Sequence, residues 1–231
     1  GQTRTAVCCL ASVNLERWDE WREHERFVED VLRMLDNVLE DFIERAPESM
    51  AAARYSATRE RSVGLGAMGF HSYLQQSSIP FESALARSAN LRMFRHLRRA
   101  ADAASRRLAA ERGACPDAAE RGVNERFSHK LAIAPTASIS VICGGTSACI
   151  EPIPANVYTH KTLSGSFSVR NEALQKVLAE KGLETEATWQ SILAHEGSVH
   201  HLAGLSEHDK AVFRTAFEID QRWVVELAGD R

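Results

Sequence analysis

The chain of 231 residues holds no apolar run approaching the roughly 20 residues that cross a bilayer as a helix, and no charged segment followed by an apolar one at its start. Neither a helical membrane anchor nor a secretory leader is therefore read here, and a cytoplasmic location is expected. Charge of one sign is also missing: 31 acidic against 28 basic residues leave a formal −3. That balance speaks against a nucleic-acid or membrane-surface protein that recruits its partner electrostatically, so no nucleic acid and no membrane are expected as partners. Cysteine is sparse and odd in number, at 8, 9, 115, 143 and 149, with no CxxC pair. A secreted disulfide framework and a zinc site are thereby disfavoured, no metal is expected, and a reducing compartment fits. Linkers, repeats and low-complexity segments are lacking too. An initiator methionine is absent and the first residues already read as strand, so a segment of something longer is expected.

What is present is ordinary for a globular protein: 44% hydrophobic and 26% charged residues, enough to bury a core of one large domain or two small ones. Thr5 to Leu15 (TAVCCLASVNL) is β-branched and apolar enough for a buried strand, followed by a loop around Trp18 and Trp21. From Phe27 to Ile43, apolar residues recur at three- and four-residue steps and predict one buried helical stripe, ended by Pro47. Ser62 to Phe70 (SVGLGAMGF) suits a strand or a strand-to-helix turn where another backbone comes close. Ala84 to Arg112 predicts a helix with Gly113 as its C-terminal cap. Lys130 to Ala134 predicts a strand running into Pro135, residues 145–165 read as loop, and Asn171 to Lys181 and Thr215 to Leu227 as helices. Alternating strand and helix signals point to an α/β domain with mainly parallel strands.

Several constellations could carry chemistry. Gly64, Gly66 and Gly69 satisfy GxGxxG, but no strand followed by an acidic residue about 20 positions on supports a dinucleotide fingerprint. At Ala134 to Gly145 (APTASISVICGG), a strand ends at Pro135, and Thr136 and Ser138 stand where a helix could begin. Unpaired amides and hydroxyls at such a start suit a phosphate, while the local pattern alone favours a simple capping role for Thr136 or Ser138. Cys8, on the first strand, is by itself either an apolar filler or a reactive thiol. Its neighbour Cys9 must point to the opposite strand face. His195, Glu196, His200 and His201 (HEGSVHH) lack HExxH spacing and read as a solvated helix end. Cys115, Cys143 and Cys149 have no evident base beside them and read as buried or incidental, and Glu151 as a loop-ordering residue.

The phrase from Ala134 to Phe167 (APTASISVICGGTSACIEPIPANVYTHKTLSGSF) resembles the signature of the large, catalytic subunit of class I ribonucleotide reductases. Its elements are PTAS at Pro135 to Ser138, IEP at Ile150 to Pro152 and NVYTHKTLSG at Asn156 to Gly165. The similarity extends over nearly the whole chain, weakening from about Asn171. The resemblance implies that Pro135, Thr136, Ala137, Ser138 and Ile139 hold the diphosphate of a ribonucleotide. It implies that Cys8, flanked by Ala6, Val7 and the Asn14-Leu15 pair, is one partner of the redox-active disulfide, with Cys9 as packing. It further implies an α/β fold that is part of a ten-stranded barrel, residues 1–231 being a single-domain fragment that supplies the second five-stranded parallel half.

In such enzymes a thiyl radical and a glutamate sit in an Asn-x-Cys-x-Glu loop, and no such pattern occurs in these 231 residues. An adjacent tyrosine pair and a terminal dithiol are also absent. The segment alone is therefore expected to be inactive, and poorly soluble or only partly folded without the missing half of the large subunit. The resemblance implies no cofactor in this chain. Its further implications are a small (beta) subunit carrying the metal-radical centre, ATP or dNTP effectors bound outside this segment, thioredoxin or glutaredoxin as reductant, and a homodimer when complete. Rival readings are a piece of the cobalamin-dependent class of the same superfamily, and a split-gene product that works only by assembling with its other part.

Overall fold

The computed structural model describes residues 2–162 and 165–231; Leu163 and Ser164 of the NVYTHKTLSG run, and Gly1, lie outside the described residues. The chain divides into two compact units, Gly1–Ala67 with Met93–Thr136, and Met68–Arg92 with Ala137–Arg231.

In the first unit, strand β1 (Leu10–Asn14) leads through a short turn into α1 (Trp18–Trp21), then α2 (Phe27–Arg45), α3 (Ala51–Glu60) and β2 (Gly64–Met68, of which Met68 falls in the second unit). The expected strand from Thr5 is shorter, because residues before Leu10 are mostly exposed and only isolated backbone bonds hold them, such as Thr5 N–H to Ala52 O. The stripe read from the sequence is the buried face of α2, with Val28, Leu32, Leu35 and Leu39 each at most 3% exposed. Burial of each such side chain stabilises by about 1.5–3 kcal/mol. The region of Trp18 and Trp21 is helix rather than loop: both indoles are buried, edge to face at 4.9 Å, and the Trp21 Nε1–H donates to Asn14 O.

Helix α5 runs from Ala84 to Arg112, and Gly113 ends it at a φ of 87°, a left-handed conformation that favours glycine. The one-turn α6 (Pro116–Ala119) follows. A buried carboxylate ties the first unit together. Asp36 on α2 is 0% exposed and accepts bonds from Arg61 after α3, from Arg112 at the end of α5 and from Arg126, at 2.8–3.0 Å for the shortest of each. Burial alone would raise the Asp36 carboxyl pKa, but the bonds from Arg126, Arg61 and Arg112 outweigh it and hold the group below the usual carboxylate range.

Strands β1 and β2 are hydrogen-bonded neighbours. On its other side β2 meets the segment that carries Leu131 in a parallel bridge at Leu65, supported by Leu65 N–H to Lys130 O and Ala132 N–H to Leu65 O. The strand expected over Lys130 to Ala134 is thus reduced to a single bridge flanked by irregular backbone.

The second unit contains α4 (Phe70–Gln76), α7 (Ile139–Ile142), the hairpin β3 (Val157–Thr162) and β4 (Gly165–Arg170), and then α8 (Glu172–Glu180), α9 (Glu186–Ala194), α10 (Glu207–Val212) and α11 (Gln221–Gly229). The hairpin is antiparallel, pairing Val157 with Arg170 through Thr162 with Gly165. It occupies part of what the sequence read as loop, and its direction departs from the mainly parallel expectation. The predicted helix over 215–227 begins only at Gln221, where the Asp220 side chain caps it. Val157, Leu174, Leu178, Trp189, Ile192, Val212 and Phe213 form this unit's apolar core.

Candidate functional site

The first unit brings β1, which follows Cys8, beside the approach to PTAS. Gly64 and Gly66 of β2 lie where a side chain would collide: a Cβ on Gly64 would stand 2.3 Å from Leu10 Cδ2 and 2.8 Å from Ala132 Cβ. On Gly66 it would stand 2.8 Å from Ser12 Oγ and 3.2 Å from Ala134 Cβ. Leu10 and Ser12 from β1, and Ala132 and Ala134 from the Leu131 segment, therefore close over a glycine floor on the same face. Cys8 precedes β1, two residues before Leu10. Cys8 and Leu10 are exposed, whereas Cys9 is half-buried and Val13 is 3% exposed. Burial, and then the charge of Cys8, raise the Cys9 thiol pKa, which disfavours its thiolate. Cys9 also anchors the strand, its carbonyl accepting from Gly64 N–H at 2.9 Å.

Ala134 is buried, Pro135 is exposed, and Thr136 is 7% exposed with a φ of 52°. A β-branched residue in left-handed backbone costs about 1–3 kcal/mol, and such strain concentrates at functional turns. Cys8, Pro135 and Thr136 belong to the first unit; Ala137, Ser138 and Ile139, all exposed, belong to the second. Ser138 occupies the N-cap position of α7, but its side chain makes no capping bond. The hydroxyl is thus not consumed by the role that local pattern alone would give it. Helix α7 is a single turn, closed by Gly144 and Gly145 at φ 91° and 76°. Its dipole is correspondingly small, so an anion there would be held by individual amides and hydroxyls rather than by a long helix.

Downstream, the IEP residues Ile150 and Pro152 are buried and Glu151 is exposed. Asn156, 1% exposed, is an amide hub at the base of the hairpin: its Nδ2 donates to Gly197 O and Phe213 O, and its Oδ1 accepts from Asn171 Nδ2 at 2.8 Å. Asn171 Nδ2 also donates to Gln75 Oε1, and its Oδ1 caps α8. Sequence reading located this run but not its function as a polar brace, which depends on partners distant in sequence.

His195 closes α9 and stacks on His201 at 3.6 Å. Both are exposed, as a solvated helix end requires. Among the described residues no group of three or more His, Cys, Asp and Glu could hold a metal ion, and no helix is long and apolar enough to cross a membrane. Cys115 and Cys149 are buried and Cys143 is exposed.

The family model described as ribonucleotide reductase, barrel domain, matches residues 1–125 and 117–231. The ribonucleoside-diphosphate reductase large subunit of Invertebrate iridescent virus 6 is 47% identical over 99% of this chain and 24% of its own length. The large subunit of Caenorhabditis elegans is 31% identical over 98% of this chain and 33% of its own. Among solved structures, the class Id ribonucleotide reductase alpha subunit of Actinobacillus ureae superposes with a TM-score of 0.88 at 39% identity, covering 96% of this chain and 41% of that one. The chain thus spans well under half the length of these relatives. With its whole length matched and its α/β fold shared at that identity, the chain belongs to the ribonucleotide reductase barrel-domain family.

Proposed function

We propose that this chain is the second half of the ten-stranded catalytic barrel of a class I ribonucleoside-diphosphate reductase large subunit, its two units together forming part of that one domain. The complete subunit would reduce ribonucleotides to 2′-deoxyribonucleotides for DNA synthesis. In the net step, two thiols become a disulfide and deliver two electrons and two protons. The 2′-hydroxyl leaves as water and a hydrogen takes its place on the sugar. Cys8 supplies one of those thiols, and Pro135, Thr136, Ala137, Ser138 and Ile139 grip the substrate diphosphate.

The observation that carries this reading is the sheet of the first unit, where Leu10 and Ser12 of β1, which follow Cys8 in the chain, meet Ala132 and Ala134, which precede PTAS, over Gly64 and Gly66. The uncapped Ser138 hydroxyl and the strained Thr136 backbone support the second element. The likeness to an alpha subunit named as class Id favours class I over the cobalamin-dependent class. The radical would come from a metal-bearing small subunit, reducing equivalents from thioredoxin or glutaredoxin, and control from ATP or dNTP effectors bound outside this segment. The complete protein is proposed to be a cytoplasmic homodimer.

Hydrogen bonds to a charged group are worth about 1.5–3 kcal/mol, so Ser138→Ala in the complete subunit should weaken ribonucleoside-diphosphate binding by about ten-fold or more. An unchanged affinity rejects the assignment. The 231 residues alone, lacking Asn-x-Cys-x-Glu, should form no deoxynucleotide; measurable product from the purified chain would reject that part.

A further inference from the structure

The exposed loop that begins at Ala137 must hold its amides in place if it is to grip a phosphate. Among the described residues, the hydrogen bonds of 137–145 run within that segment: Cys143 N–H to Ile139 O, Gly145 N–H to Ser140 O, and Ser140 Oγ–H to Ala137 O. Its apolar side chains do not anchor it either, with Ile139, Val141 and Ile142 at 41%, 47% and 81% exposed. Ser140 and Thr146 are buried at 4% and 6% exposure, but the first hydrogen bonds to another element come at Ser147, which is 2% exposed.

There the start of α4 makes a reciprocal clasp. Ser147 N–H donates to Ser72 Oγ at 2.8 Å, and Ser72 N–H donates to Ser147 Oγ at 3.1 Å. Gly69 N–H donates to Ser147 O at 2.7 Å, and one residue along α4, His71 Nδ1 accepts from Ile153 N–H at 3.0 Å. Four bonds from one helical turn thus fix residues 147–153. Gly69 lies at a φ of 81°, which aims its N–H at the loop carbonyl while the chain passes from β2 into α4. The two serines are 75 positions apart, so the bond pattern is a tertiary device and not a local turn.

We infer that Ser72 and Ser147 are positioning residues for substrate binding: their mutual bonds hold the far end of the 137–145 loop so that the amides near Ser138 meet the diphosphate. This rests on the reading of PTAS as the diphosphate turn. The loss of one such bond corresponds to about five-fold.

The test is steady-state kinetics of the complete large subunit with its small subunit and ribonucleoside diphosphate, comparing Ser72→Ala, Ser147→Ala, Ser72→Thr and Ser138→Ala. Ser147→Ala keeps the backbone bonds at 147 and so provides a mild second probe should Ser72→Ala fold poorly. Expected are KM values raised about five-fold in Ser72→Ala and Ser147→Ala, kcat within two-fold of the parent, and recovery of KM in Ser72→Thr. Faster hydrogen exchange confined to residues 137–147 should accompany the two alanine variants. A normal KM in both, beside a raised KM in Ser138→Ala, overturns the clasp alone. A normal KM in Ser138→Ala as well overturns the diphosphate reading beneath it. A loss of kcat with KM unchanged also overturns the positioning role.

Discussion

His71 should make this protein acid-sensitive in a range where carboxylates are still ionised. The ring is 0% exposed, and Nδ1 accepts from the Ile153 N–H, which can only donate. The proton of the neutral ring therefore sits on Nε2, and charging would require a proton on Nδ1 at the expense of that bond. Burial pushes the His71 pKa down to about 3, with the Val212 carbonyl only partly opposing it. An unfolded histidine titrates near pH 6.5, so between about pH 3 and 6.5 the unfolded chain binds the extra proton and the folded chain does not. Stability contributed by the neutral ring is thus complete above pH 6.5 and falls as pH drops. Linkage between those two pKa values gives a loss of about 2 kcal/mol on going from pH 7.5 to 5. The assay is urea unfolding at both pH values for the parent and for His71→Asn, whose amide oxygen can accept from Ile153 but cannot titrate. The parent should lose about 2 kcal/mol more than the variant over this interval. Equal losses, or a folded-state His71 that titrates near pH 6.5 by NMR, would refute the reasoning.

Asp36→Asn should destabilise the chain by about 3–5 kcal/mol in urea unfolding, because it leaves Arg61, Arg112 and Arg126 around a site that has lost its charge; a loss below about 1 kcal/mol would contradict the role given to this carboxylate. Gly66→Ala should cost about 1–3 kcal/mol, since its Cβ would crowd Ser12 Oγ and Ala134 Cβ. Thermal unfolding measures the effect, and a neutral substitution would show that the floor has room to spare.

Long periodic segments were the legible part of the fold. The apolar stripe of α2 and the full span of α5 with Gly113 at its end follow from spacing and cap chemistry, which act locally. Over Ser62 to Phe70 the glycines left a strand and a strand-to-helix turn both open, and the structure has β2 followed by α4 there. The hairpin was not legible: Ser166 to Arg170 does alternate polar and apolar residues, but VYTHKT shows no such alternation, and the two strands were read as part of a loop and the segment after it. Helix α3, AAARYSATRE, has too weak an apolar stripe to announce itself. At the candidate site, alternation was the basis for choosing Cys8 over Cys9, but the strand that carries it begins only at Leu10, so the choice stays a proposal. The glycine floor could be suspected from Ser62 to Phe70, but its neighbours Ser12 and Ala134 could not. Nor could the pairing of Ser72 with Ser147, or of Asn156 with Asn171 and Gly197, because single hydroxyls and amides carry no spacing signal.

The most direct test of the account is disulfide mapping after one turnover. The complete subunit, pre-reduced and then reacted with ribonucleoside diphosphate and its small subunit without added dithiol, is alkylated, digested and examined by mass spectrometry. The account predicts a new disulfide that contains Cys8, with Cys9 recovered alkylated as a free thiol. A turnover-dependent disulfide through Cys9, or one that involves neither residue, would contradict it.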